Sequence, residues 1–380
     1  NNNPAQPGRQ GEHAMAAKEK GGAAPNDPES VVYKRPPQHY FVWQKDEGIP
    51  IHETFHVEDL GQVEVAPWDR FGGNGCFINL TDSFLVGSYL LEIPPGKALN
   101  QVHHMFEATT YVIQGRGETE IVQAGAPAQT IGWQERSLFA PPLNTSYRHR
   151  NLDAENPARL LVVNNAPLVM SLFHDEDFVF GNDHAFTHRY TGADDFFDPV
   201  PEYLGSRLSR INFIPDVREF ELYDWEMRGK GAKTSFLSLS DNTIAAHISS
   251  FEVGTYKKAH RHGAGAHVVM LDGEGYSLLW EDGKERHRVE WRAGTMFAPP
   301  EWWYHQHFNT GDTPARYLAI RNNNPENPVR MGLPRFSDAD GGMTQFGKVQ
   351  IEFEDEDPVI YRDYAAELAR KGVEIRQQKP

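Results

Sequence analysis

The chain has 380 residues, 24% charged and 39% hydrophobic, and no apolar run approaches the ~18 residues of a membrane span. This balance excludes disorder throughout and allows two or three domains at ~150 residues each. The 53 acidic residues outnumber 37 basic ones, giving a formal charge of −16, and the single cysteine, Cys76, excludes an internal disulfide or a cysteine-rich zinc site. An acidic chain lacks the broad basic face that nucleic acid requires, but a small anionic substrate stays open if a metal or local arginine supplies positive charge.

No secretory signal is legible, and the chain opens on Asn1 rather than Met, which fits processing or trimming. A cytoplasmic protein is expected, with the periplasm left open. Residues 1–30 are rich in Asn, Gly, Ala, Gln and Pro, and 31–82 carry irregularly spaced aromatics, so 1–82 reads as an N-terminal arm packed on a folded body. From 83 to 171, short β-branched runs punctuated by Gly and Pro predict a first all-β domain. The acidic, aromatic stretch 172–233, with His174, His184 and His188 in surface loops, reads as a connector. The same β texture returns over 234–325. Residues 326–380 form a C-terminal extension, with a helix predicted over Pro358–Lys371 from Pro near its start and Gly372 just past its end.

The two β domains are copies of one another. Phe139-Ala140-Pro141-Pro142 recurs as Phe297-Ala298-Pro299-Pro300, an offset of 158. At the same offset Gly96 matches Gly254, His104 matches His262, Gly115 and Gly117 match Gly273 and Gly275, and His149 and Asn151 match His307 and Asn309.

In the second copy His260 and His262 stand two residues apart, so alternation along an extended strand turns both imidazoles to one side. A second hairpin brings His305 beside them, and neutral imidazole is the commonest metal ligand. His307 shares the face of His305 and is a candidate proton donor or substrate contact. His267 is a further catalytic candidate, although alternation points it to the opposite face. Trp302 and Trp303 are core residues first and candidates to stack on substrate. Arg286, Arg288 and Arg321 are surface arginines first; one of them binding a substrate carboxylate would do so bidentately, and Arg288 is carried forward.

Gly254, His260, His262, Gly273, Gly294, Pro300, His305 and Asn309 fall on the two motifs of the cupin superfamily, which this chain resembles over about residues 83–325. The resemblance implies an all-β fold of two tandem double-stranded β-helix (jelly-roll) barrels, a bicupin, with an N-terminal arm and short helices. Ahead of Gly273, where cupins usually place Glu, stands Ala266, which leaves a three-histidine site. His260-Arg261-His262 followed by Trp303-x-His305-x-His307-x-Asn309 is similar to gentisate 1,2-dioxygenase and its relatives acting on salicylate or 1-hydroxy-2-naphthoate. Those are Fe(II) enzymes whose well-formed motif is usually in the first copy, whereas here it is in the second. In the first copy Val102 and Tyr147 replace His260 and His305, so that copy is expected to be structural or to form a dimer surface; His103, His104, Glu107 and His149 make a poorly spaced alternative set.

Three neutral ligands leave a divalent ion its full charge and up to three open octahedral positions, two for a chelating acid and one for dioxygen. The resemblance therefore implies an Fe(II) dioxygenase cleaving a ring or other C–C bond of a hydroxylated aromatic acid or similar chelating substrate, with O2 as co-substrate. The alternatives are a non-oxidative bicupin isomerase, decarboxylase or hydrolase using Mn, Zn or Ni, and a binding or storage bicupin. No membrane partner is expected, and bicupins of this type imply a homodimer or homotetramer with arms crossing subunits.

Overall fold

The computed structural model describes residues 38–80, 85–263, 265–329 and 349–377. The first 37 residues of the expected arm and all of 330–348 lie outside them. Within the described residues the chain builds two β barrels, each a large sheet closed against a three-stranded one. The first barrel pairs an eight-stranded sheet with the strands Arg116–Val122, Gln129–Gln134 and Ser146–Asn151; the second pairs a nine-stranded sheet with Glu274–Trp280, His287–Arg292 and Tyr304–Asn309. These are the two tandem barrels that the repeat implies.

The repeat reaches further toward the N-terminus than the sequence reading drew it. Gly73–Asn79, counted in the arm, is a strand of the first barrel, hydrogen-bonded to Gly87–Ile93. Ile51–Glu53 runs parallel to that strand, and Leu208–Arg210, counted in the connector, runs parallel to Lys233–Ser238 in the same way. The barrels also exchange strands. His56–Val57 pairs with Met296–Phe297 of the second barrel, while Phe213–Ile214 pairs with Leu138–Phe139 of the first. The two Phe-Ala-Pro-Pro segments are therefore the docking strands of a reciprocal swap.

Strand alternation divides the buried residues into three layers. Tyr89, Leu91, Leu160 and Val162 point into the first barrel. Val268, Met270, Phe297 and Ala319 point into the second. Leu90, Leu161, Val163, Val269, Leu271, Leu318 and Ile320 point the other way and pack the two large sheets together. Each fully buried Leu, Ile or Val there contributes ~1.5–3 kcal/mol, so the barrels share one continuous core. A polar clamp adds to it. Buried Glu107 of the first barrel accepts from the Thr243 amide (2.8 Å) and hydroxyl (2.6 Å) of the second, and pairs with Arg189 at 3.0 Å.

The C-terminal helix forms where the sequence predicts it, at Pro358–Lys371. The Asp357 side chain caps its first turn, and Gly372 ends it in a left-handed conformation at φ 71°. Ile360, Tyr364 and Leu368 pack on Tyr256, Tyr276 and Phe308, the outer face of the small sheet. That buttresses the strand Tyr304–Asn309, whose inner face carries His305 and His307. Gly275 permits the close pairing: a Cβ there would run into the Phe308 carbonyl and lie 2.8 Å from the Trp291 ring.

Candidate metal centre

His260 and His305 face each other in a two-bond antiparallel bridge, His260 N–H to His305 O at 3.1 Å and His305 N–H to His260 O at 2.8 Å. This bridge fixes the separation of the two rings, whose centroids are 4.2 Å apart. His262 closes the triangle, 4.9 Å from His305 and 5.9 Å from His260. One nitrogen from each ring lies within 4.8 Å of the other two, and among the described residues no other group of His, Cys, Asp or Glu is gathered this way.

The outer nitrogens are already committed. Nδ1 of His260, His262 and His305 faces the carbonyl oxygens of Lys258, Gly263 and Trp303 at 3.2, 3.2 and 3.3 Å. A carbonyl only accepts, so each Nδ1 carries the proton and each Nε2 keeps its lone pair. Burial holds His260 and His262 well below the usual imidazole range and His305 down to about 3, with Arg228 and the neighbouring imidazoles adding to the effect. The three rings are thus neutral at physiological pH. Three convergent, unprotonated Nε2 atoms are the donor set a divalent transition metal takes, so the residues present fit a metal.

The histidines line a cavity of about 60 Å³. Ala266 lines it too, so the position where cupins usually place Glu carries only a methyl group facing the histidines. The other polar walls are Arg228, Lys257, Arg321, Tyr317, Ser249, His247 and His307, with no carboxylate among them. Buried Lys257 donates to Ser249 Oγ at 2.6 Å and Tyr317 Oη at 3.0 Å. Burial holds the Lys257 ammonium below its ordinary range. Burial raises the Tyr317 phenol, but the adjacent Lys257 charge outweighs this and leaves it below its ordinary value. Arg228 is held by Gln350 at 2.7 Å and stacks over Trp225, whereas the Arg321 guanidinium makes no hydrogen bond among the described residues.

His307 also lines the cavity. Its Nδ1 lies 2.7 Å from Ser277 Oγ, which accepts from Trp291 Nε1 at 3.0 Å. The serine has one hydrogen, and donating it to Nδ1 leaves the His307 proton on Nε2. The first barrel repeats this arrangement with His149, Thr119 and Trp133 at 2.7 and 2.9 Å. The triad is therefore part of the barrel itself, and only its surroundings differ.

The remaining candidates lie elsewhere. His267 shares the face of Val269 and Leu271, between the barrels, with neither ring nitrogen hydrogen-bonded. Arg288 is bound to Glu367 of the C-terminal helix at 2.8 and 2.9 Å and lies over the Tyr276 ring, outside the cavity. Trp303 stacks on His287 and packs near Phe55, and Trp302 occupies a turn at φ 64°. Both tryptophans act through the backbone: the Trp302 amide donates to the His262 carbonyl, and the Trp303 carbonyl faces His305 Nδ1. In the first barrel Glu107 is spent on Arg189 and Thr243, and His149 on Thr119, so the alternative ligand set does not assemble.

Strand alternation and the repeat offset together would have found the cationic wall. His247, Ser249 and Tyr317 occupy inward positions where the first copy has Tyr89, Leu91 and Leu160. Polar replacing apolar on an inward face is the signal of a site.

No family model matches the chain. A gentisate 1,2-dioxygenase of a Haloferax species is 30% identical over 87 residues, 23% of this chain and 24% of that protein. The match thus spans about a quarter of that relative's length. Among solved structures, a deletion mutant of Bacillus subtilis oxalate decarboxylase is 16% identical over 71% of this chain and 77% of its own, with a TM-score of 0.48. The formate complex of Lactobacillus farciminis oxalate decarboxylase is 12% identical over 73% and 87%, with a TM-score of 0.49. No helix among the described residues is long and apolar enough to cross a membrane. The tandem barrels, the ordered repeat and both motifs around the three histidines give the chain the fold of a bicupin.

Proposed function

We propose that the second barrel is the active site of an Fe(II)-dependent dioxygenase that cleaves a C–C bond in a compact, anionic, chelating acid. One observation carries this reading: three neutral histidines converge in a cavity whose remaining charged groups, Arg228, Lys257 and Arg321, are all cationic. His260, His262 and His305 would hold the metal. When bound there, iron would supply a Lewis-acidic, redox-active centre with positions open to a bidentate substrate and dioxygen.

The chain's own groups supply the rest. Arg321 is placed to take a substrate carboxylate through two parallel N–H donors, and Arg228 adds a second positive charge. His307 offers an Nε2–H to a substrate oxygen. Tyr317 Oη, poised by Lys257, is the group able to accept the proton of a substrate hydroxyl and return it later. Ala266, Val268, Ala319 and Pro299 give the cavity apolar walls that keep bulk water from the reacting atoms.

The test is oxygen uptake by Fe(II)-reconstituted protein offered gentisate, salicylate, 1-hydroxy-2-naphthoate, catechols, β-diketones and small hydroxy acids. Substrate-dependent uptake that His305→Ala abolishes is expected. Turnover with unchanged oxygen, for example CO2 release from oxalate by Mn-loaded protein, would overturn the oxidative reading in favour of a decarboxylase.

A further inference from the structure

The first barrel keeps a cavity at the place equivalent to the metal centre, and its chemistry is different. It measures about 240 Å³ and is walled by Trp43, Phe71, Tyr89, Phe106 and Phe180, with Arg70, His103 and His104 at its polar side. The repeat relates Tyr89 to His247, Arg70 to Arg228, Val102 to His260 and His104 to His262. The bridge between His260 and His305 recurs between Val102 and Tyr147.

A metal has no place here. His104 is the one ligand position retained, and both of its nitrogens are used: Nδ1 faces the Phe106 carbonyl at 2.7 Å and Nε2 lies 2.8 Å from Tyr147 Oη. What the cavity offers instead is aromatic surface and unused hydrogen-bonding capacity. Tyr89 is wholly buried, and neither its hydroxyl nor the buried Nε2 of His103 has a hydrogen-bond partner among the described residues. Leaving such groups unpaired costs ~1–3 kcal/mol each, a cost that a ligand able to reach them removes.

Charge narrows the class. Arg70 lies over the Phe180 ring at 4.0 Å, and its guanidinium is neutralised by Glu47, which also accepts from Trp43 and Trp68. The cavity therefore holds no uncompensated positive charge, unlike that of the second barrel. Its volume exceeds the ~150 Å³ that holds benzene. From this geometry we propose that the first barrel is a metal-free binding site for a small neutral aromatic alcohol, a phenol, whose ring lies among Trp43, Phe106 and Phe180 and whose hydroxyl meets Tyr89 Oη.

Calorimetric titration of the full, metal-depleted chain with 4-methylphenol tests this, with cyclohexanol as the non-aromatic control and 4-methylbenzoate as the charged one. Saturable binding at one site per chain is expected, at least ~10-fold stronger than to either control. Tyr89→Phe, which keeps the ring and the packing, should weaken it by roughly 5- to 10-fold. His305→Ala, in the other barrel, should leave it unchanged. No binding up to ~5 mM, binding indifferent to Tyr89→Phe, equal binding of cyclohexanol, or loss in His305→Ala would each overturn the assignment. Because the titration involves neither metal nor turnover, its failure leaves the proposed dioxygenase untouched.

Discussion

His267 provides a direct test of the packing between the barrels. It is 2% exposed, neither ring nitrogen has a hydrogen-bond partner, and burial pushes its imidazole down to about 4 from an ordinary 6.5. In the unfolded chain the ring takes up a proton near pH 6.5, whereas in the folded chain it stays neutral until about 4. Below 6.5 the unfolded state binds more protons, so stability is intact above that pH and falls as acid is added, levelling off near 4. At pH 5.0 the loss is 1.5 pH units at about 1.36 kcal/mol each, ~2 kcal/mol from this residue alone. His267→Leu removes the titrating group without breaking any hydrogen bond. Urea unfolding followed by fluorescence at pH 7.5 and 5.0 should show the variant gaining ~2 kcal/mol on the parent as the pH falls. A difference between the two proteins that stays constant over that range would refute both the burial of the ring and the reasoning that makes it an acid-labile point.

Other expectations follow from the polar clamps and the cavity wall. Glu107→Ala leaves the Thr243 amide and hydroxyl without their acceptor and Arg189 without its carboxylate, so it should cost ~3–5 kcal/mol and split one urea transition into two as the barrels uncouple. Arg288→Ala should lower stability by ~1–2 kcal/mol and speed proteolysis at the C-terminal helix, while kcat/KM stays at the parent value, since Arg288 serves Glu367 and Tyr276 rather than substrate. Tyr317→Phe should lower kcat by ~10²-fold with little change in KM, its iron content by elemental analysis remaining that of the parent.

The fold was legible because the repeat is long and ordered: one offset carries most of the second barrel onto the first, and the histidine spacing identifies the half that gathers a ligand set. The C-terminal helix was legible from Pro358 near its start, the apolar spacing of Val359, Ile360, Tyr364 and Leu368, and Gly372 beyond its end. The exchanged strands were not. His56–Val57 and Phe213–Ile214 are two residues long, too short to show a period of two, and their partners lie in the other barrel. Arg288 misled for a related reason. Its sequence neighbours mark an exposed strand, and only the folded chain brings Glu367, 79 positions away, onto its guanidinium. The cationic wall was legible in principle, since Tyr317, Ala319 and Arg321 alternate along one strand, but a single copy read alone does not show which alternating residues are unusual.

The two copies show how little has to change to move a barrel from one chemistry to another. Both keep the arginine that reaches the cavity and the Trp–Ser/Thr–His triad behind it. In the second, Ala266 leaves the space beside the rings open, and His247, Lys257 and Tyr317 make the wall polar. In the first, Leu99 and Tyr89 stand where Lys257 and His247 stand, and Tyr147 reaches across to satisfy the one histidine left. The consequence is a charge difference: Arg70 is cancelled by Glu47, whereas Arg228 and Arg321 face a cavity with no acid in its wall. On the proposed reading, an anion is drawn to the second barrel and gains nothing in the first. The sorting is electrostatic, so raising ionic strength should weaken binding of an anionic substrate while leaving the affinity of a neutral phenol unchanged.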